Sequence, residues 1–408
     1  MADSAGSDTT HYELRNSGSV GTPHRSCSAL TRRELNLAIY EGTTQGVLWQ
    51  PRLETWIRHH IRRDSLPDRF RGMTNLEIYD ELGCSFRYLR HATTCGWTLP
   101  QGPWLERYLE RQGLRQVEER YSNYSLHRTI IPEGEICTRF HEIWQDGVVA
   151  NRRISDFPVK TVDDLKVATA LVERQRFHAD VAAYEQADAL LGDRGEPTLF
   201  LSSSGFTELV KNWAGLLGAV YLLQDHRSQV EAFLEACDRR DDRMIDEALK
   251  LPCRLFNFGD HATNEFTPPR ILERYMMPRW QRLSERLHSE GRFVHTHWDG
   301  NARHMLPYLQ ETGLDGVEAL TPAPMGDMTL EQIKAGVGDT MIVLDLLPAI
   351  DFLPDHSTEA LLEFTRRVID MFAPRLILGV SDEISAPGEI DKIEAVSSLV
   401  DSICGLAR

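Results

Sequence analysis

The stretch Gly291–Asp327, GRFVHTHWDGNARHMLPYLQETGLDGVEALTPAPMGD, decides how the chain is read. It opens with a short apolar run that ends in two histidines, His295 and His297. Side chains two positions apart on a β-strand point to the same face. A helix-like segment follows, then a second apolar run, GVEAL (316–320), which carries Glu318. If both runs are strands of one parallel sheet, their C-terminal ends lie side by side. Two imidazoles and a carboxylate then meet at one rim, a donor set that suits Zn²⁺.

Working outward, the same unit repeats. Strand-like runs at 197–203 (PTLFLSS), 253–260 (CRLFNFGD), 292–297, 316–320, 340–348 (TMIVLDLLP) and 375–382 (RLILGVSD) are each followed by a helix-like segment. Such alternation argues for a parallel sheet flanked by helices. A short strand at Gly46–Trp49, stopped before Pro51, and one of the two or three antiparallel strands read in the alternating segment 129–155 bring the count to eight. Eight is the count of a (β/α)₈ TIM barrel, an α/β fold. The rival, an open doubly wound sheet, usually carries a glycine-rich phosphate loop after its first strand. Neither GxGxxG nor GxxxxGK[ST] occurs here.

Toward the N-terminus, TRRELNLAIYEG reads as a helix capped by Thr31 and ended by Gly42. Residues 52–128 read as mostly helical, with a capping box at Thr74 and Glu77, and form a helical insertion. A helix starting at Thr161 is predicted to run to Ala187. Residues 1–28, rich in Ser, Thr and Gly, read as a poorly ordered tail, and 29–408 as a single domain.

A net charge of −16 over 408 residues gives no electrostatic footprint for nucleic acid, and anionic lipid attracts the opposite sign. No run is long and apolar enough to span a bilayer, and the N-terminus has no signal-peptide core. Seven scattered cysteines without a CxxC pair read as reduced thiols of a cytoplasmic protein.

Ionisable residues gather at the predicted strand ends: Asp260 and His261, His295 and His297 with Asp299, Glu318, Asp345, then Asp382 and Glu383. A charge within an apolar run is costly unless it is paired or metal-bound. Each alone has a plainer reading: a satisfied core histidine, a loop-capping Asp260, an Asp382 paired with a nearby arginine. Their convergence on one rim is the functional signal, because barrel active sites sit at the C-terminal strand ends. The SSSGF stretch (202–206) lacks the spacing of a nucleophile elbow and reads as a loop whose small residues let a ligand approach.

From about Thr31 onward the chain resembles the uroporphyrinogen decarboxylase superfamily. The resemblance rests on FGDHATNEFTPPRILERYMMP (258–278), HTHWDGNARHMLPYLQETGLDGVEAL (295–320) and LILGVSDEISAPGEIDKIEAV (376–396). It implies a (β/α)₈ barrel and one of two chemistries, metal-free decarboxylation or zinc-dependent methyl transfer involving a corrinoid. The decarboxylases carry Arg-Gln-Ala-Gly-Arg after the first strand, where this chain has Trp49-Gln-Pro-Arg-Leu-Glu54. The methyltransferase branch is therefore the closer one. It carries His-x-Cys where this chain has His295-Thr-His297, a Glu where Glu318 stands, and a further Cys near Val380, Ser381 and Asp382.

The resemblance thus implies a metal set of His295, His297, Glu318 and Asp382. Such nitrogen and oxygen donors suit Zn²⁺ and admit other divalent metals. Asp260, His261 and Asp299 are implied to orient substrate or support the ligands. The expected function is a methyltransferase or demethylase moving methyl between a small-molecule substrate and a corrinoid on a partner protein or another carrier. The alternative is a metal-dependent lyase (decarboxylase) or hydrolase of a small carboxylated substrate, with Asp382 or Glu383 as general base. A homodimer is compatible with either.

Overall fold

The computed structural model describes residues 30–93, 104–145 and 148–404. The expected tail at 1–28 lies outside the described residues. In chain order the strands are β1 (Leu48–Trp49), β2 (Leu105–Leu109), β3 (Arg115–Arg120), β4 (Tyr124–Ile131), β5 (Gly134–Gln145), β6 (Val148–Asp156), β7 (Gln175–Ala179), β8 (Thr198–Leu201), β9 (Leu255–Ala262), β10 (Phe293–Trp298), β11 (Gly316–Glu318), β12 (Ile342–Pro348) and β13 (Leu376–Ser381). Seven of them form one curled sheet in the order β1-β13-β12-β11-β10-β9-β8, parallel at every pair. The six predicted strand–helix repeats supply β8 to β13 of this sheet.

The two edges of the sheet, β1 and β8, both meet the extended segment Ser85–Tyr88. Ser85 N donates to Trp49 O at 2.9 Å, Thr198 N donates to Arg87 O at 2.9 Å, and Tyr88 bridges Thr198 in parallel.

Three local expectations are corrected. Residues 129–155 give no strand to the parallel sheet. They are antiparallel strands, as their alternation predicts, but of a separate sheet in the order β3-β4-β5-β6. The segment 52–128 is helical only in its first part, with helices Glu54–Arg62, Asn75–Glu81 and Leu89–Thr93. From Leu105 it is extended, β2 pairing with β7 and β3 joining the antiparallel sheet. β3 reads RQVEER with charged residues on both sides and is mostly solvated, so its apolar content signals neither period clearly. β7 also breaks the long helix expected after Thr161 into Val162–Glu173 and Val181–Leu191. No described helix is long and apolar enough to cross a membrane.

Period-two alternation gives the parallel sheet two unlike faces. One face packs Phe256, Phe258, Val294, Val317, Val343, Leu376 and Leu378 into the main core beneath the flanking helices. On the other, Leu48, Leu255, Ile342, Leu344 and Ile377 pack against Leu35, Ile39 and Tyr40 of the helix Arg32–Glu41. That helix has the expected caps: Thr31 in a capping box with Glu34, and Gly42 at φ 68°. Burying each such large apolar side chain contributes about 1.5–3 kcal/mol. The polar residues Asn257, His295, His297 and Glu318 follow the apolar layer at steps of two toward the C-terminal ends. The apolar floor thus carries a polar rim.

Candidate active site

Strand register sets the rim. His297 of β10 lies opposite Glu318 of β11, as the parallel pairing of those two runs predicts. On its other side β10 pairs with β9, where the register jumps: Thr296 faces Phe258, but His297 faces His261. The jump is a bulge at Gly259 and Asp260. A Cβ at Gly259 would stand 2.7 Å from Leu201 O, so glycine permits the close approach. Bulges re-aim side chains at the ends of strands. Here the result is that His261 and His297 stack, with ring centroids 5.1 Å apart.

Glu318 is 1% exposed and is the hub of the inner rim. Oε1 accepts from Asn257 Nδ2 at 2.9 Å and contacts His297 Nδ1 at 3.0 Å. Oε2 accepts from Arg87 Nη1 at 3.0 Å and from the Tyr88 hydroxyl at 2.5 Å. Burial opposes ionisation of this carboxyl, but its contacts with His295 and His297 and the Arg87 guanidinium outweigh it and hold the group well below the usual carboxylate range. Arg87 also binds Asp345 through two hydrogen bonds, 2.7 and 3.1 Å, and donates to Gln50 Oε1 at 3.0 Å. Burial raises the Asp345 pKa to about 6 against the pull of Arg87. Ala319, Asp345 and Leu346 adopt φ of 65°, 81° and 76°. Non-glycine residues in that region store about 1–3 kcal/mol each and cluster at functional sites. Gly379 leaves room for this arrangement, since a Cβ there would collide with Asp345 Oδ1.

His295 is fully buried. Its Nδ1 contacts the Tyr40 hydroxyl at 2.9 Å, and its Nε2 stands 3.5 Å from Glu318 Oε2 without a hydrogen bond. Burial pushes its pKa down, with Glu318 opposing. His297 differs. Burial pulls it down too, but the Asp382 and Glu318 carboxylates outweigh burial and raise it to about 9. Burial and the charge of His297 push the His261 imidazole down, against the pull of Asp299.

The other predicted site residues divide. Asp260 is buried, with both oxygens engaged: Oδ1 accepts from Ser204 N (2.8 Å) and Ser204 Oγ (2.7 Å), Oδ2 from Trp280 Nε1 (2.8 Å) and Arg279 Nη1 (3.4 Å). It anchors the serine loop after β8. Asp382 forms an ion pair with the buried Arg52. Glu383 lies 4.0 Å from the same guanidinium, and burial raises its pKa. Asp299 and His261 approach to 3.8 Å at the outer edge of the rim.

The fit of the implied metal set is uneven. Glu318 already satisfies four donors, a guanidinium among them, and Asp382 is held by Arg52. Among the described residues, one trio brings a ligand atom from each within 4.8 Å of the others: His261, His297 and Asp299. His261 also lines a pocket of about 330 Å³ with Phe206, Thr207, Val210, Lys211, Phe266 and Thr267. Lys211 sits on a π-helical turn, Leu209–Trp213, a distortion that recurs at functional sites.

Arg87, Tyr88, Asn257, Arg52, Tyr40 and Lys211 were not among the predicted site residues. Asn257 carries a signal, a lone amide inside the apolar run Leu255–Phe258. Arg87 and Tyr88 carry none, because their segment has no strand-like pattern.

No protein-family model matches the chain, and no curated protein does either. Among solved structures the chain is similar to a methyltransferase from Methanosarcina mazei, with a TM-score of 0.55 at 11% identity, covering 92% of this chain and 99% of that one. A muconate lactonizing enzyme from Pseudomonas putida matches at a TM-score of 0.25 and 12% identity over 74% of this chain and 78% of that chain, too low to bear on the fold. At these identities the first likeness establishes a shared fold over nearly the whole chain.

Proposed function

We propose that the chain is a metal-assisted methyltransferase or demethylase on a (β/α)₈ barrel, with Ser85–Tyr88 as the eighth stave. The observation that carries this reading is the meeting of His261, His297, Asp299 and Glu318 at the C-terminal rim, beside a pocket. The end-to-end fold likeness to a methyltransferase supports it. A methyl group passes between a heteroatom of a small substrate and a carrier. When methyl leaves the substrate, the heteroatom keeps the bonding pair and takes up a proton. A bound divalent cation would supply Lewis acidity toward that heteroatom.

The chain's own residues do the rest. Phe206, Val210 and Phe266 give the pocket apolar walls, and Lys211 offers a cation to an anionic part of the substrate. Glu318 holds His297 at Nδ1, and Arg87 holds Glu318 in place. A corrinoid on a partner protein is the proposed carrier, docked over the rim. The test is methyl transfer from methylcobalamin to a panel of small thiols, phenols and alcohols, with and without chelator. Turnover that chelation abolishes supports the reading. Equal turnover in both, or water incorporation without methyl transfer, overturns it.

A further inference from the structure

We propose that His261, His297 and Asp299 form a divalent-metal centre at the outer rim, with Glu318 supporting His297 from behind rather than ligating the metal. The assignment departs from the inner set of His295, His297, Glu318 and Asp382 that the family pattern implies. It rests on the metal-assisted reading above, but its test needs no turnover.

The geometry carries it in three steps. First, the β9 bulge serves a purpose in this arrangement. In an unbroken register His297 would face Gly259; the jump over Gly259 and Asp260 places His261 opposite it instead, and the two rings stack at 5.1 Å. Asp299 follows β10 directly and completes a trio whose ligand atoms lie within 4.8 Å of one another. Two imidazoles and one carboxylate leave coordination positions open for substrate or water.

Second, Glu318 is engaged as an outer partner. A metal-binding histidine almost always donates its second ring nitrogen to a carboxylate or carbonyl, which fixes tautomer and orientation. The contact from His297 Nδ1 to Glu318 Oε1 at 3.0 Å has this form and leaves Nε2 as the nitrogen Glu318 does not hold. As a direct ligand, Glu318 would have to release some of its four hydrogen-bond partners in a buried site, where each unmet donor is costly. Asp382 would likewise have to leave the buried Arg52.

Third, access favours the trio. His261 and Asp299 side chains are 38% and 37% exposed, and His261 borders the pocket. A metal there faces both solvent and a bound substrate. His295 lies one layer deeper, fully buried against Tyr40.

The experiment is elemental analysis of the full chain purified after growth in zinc-replete medium, followed by Zn²⁺ and Co²⁺ titration of the stripped protein. The wild type is expected to hold about one equivalent. His261→Gln and Asp299→Asn, both at half-exposed positions that spare the core, are expected to lose it. Asp382→Asn is expected to retain it. His295→Gln, checked for folding by circular dichroism, is also expected to retain it. Loss of metal in Asp382→Asn or folded His295→Gln, with retention in His261→Gln and Asp299→Asn, overturns the assignment in favour of the inner set. A wild type that binds neither ion also overturns it. A chain that binds metal through the trio but moves no methyl group keeps this assignment and removes the function proposed above.

Discussion

Glu318 and Asp299 are both carboxylates at the same rim, yet Glu318 is 1% exposed beneath four donors, whereas the Asp299 side chain is 37% exposed beside one half-exposed histidine. The difference follows from dielectric. An ionised group out of water is tolerated only when its lone pairs are filled. Glu318 meets that condition through Arg87, Tyr88, Asn257 and His297, and the same partners make it rigid. Asp299 and His261 are under no such demand and stay open to an added ligand. The inner layer is thus a scaffold, and the outer layer is the proposed reactive surface.

Removing the inner cation should break the comparison most severely. Arg87→Ala strands Glu318 and Asp345 in the interior, and loss of about 3–5 kcal/mol is expected from the midpoint of urea unfolding. A loss below about 1 kcal/mol would mean that water enters and the layer is not dry. Next comes Asp260→Ala, which leaves the buried Ser204, Trp280 and Arg279 donors without their acceptor. About 2–3 kcal/mol is expected on the same assay. An effect as small as that of a surface mutation would place Asp260 in the chemistry rather than in the scaffold.

Smaller effects sharpen the contrast from the exposed side. His288 lies outside the rim, its Nε2 2.9 Å from Asp315 Oδ2, and that hydrogen bond raises its pKa. A raised folded-state value means stabilisation present below the ordinary histidine range and lost as pH rises through the folded value. The side chain is 40% exposed, so water screens the pair. His288→Asn should lower stability by about 0.5 kcal/mol in mildly acidic buffer and by nothing measurable in alkaline buffer. A loss that does not vary with pH would assign the effect to packing. Smallest of all, His261→Gln and Asp299→Asn in metal-free buffer should shift stability by no more than about 0.5 kcal/mol.

The parallel strands were legible because each is a short apolar run between turn residues, and the pairing of His297 with Glu318 followed from placing two such runs side by side. The segment Ser85–Tyr88, which meets both edges of the sheet, was not legible. Its sequence, Ser-Phe-Arg-Tyr, carries an arginine that is buried only because Glu318 and Asp345, more than 200 positions away, receive it. Strands β2 and β3 were hidden by charge. LERYL and RQVEER are half-solvated, so their apolar residues do not declare a period. At the site, the histidine pair and Glu318 could be found from spacing, but the approach of His261 could not. It depends on a bulge, and the sole trace of that bulge is a glycine inside a strand. The proposal of the outer trio over the inner set rests on which groups satisfy Glu318, and only three-dimensional contacts reveal them.

The division into scaffold and reactive surface is tested most directly by thermal unfolding of the full chain with and without added Zn²⁺. A ligand that binds only the folded state adds about 2.7 kcal/mol at about 100 times its Kd. The expected result is a clear rise in unfolding temperature for the wild type and for Asp382→Asn, and none for His261→Gln or Asp299→Asn. An equal rise in all four proteins would contradict the account, because the metal would then be held without the outer layer.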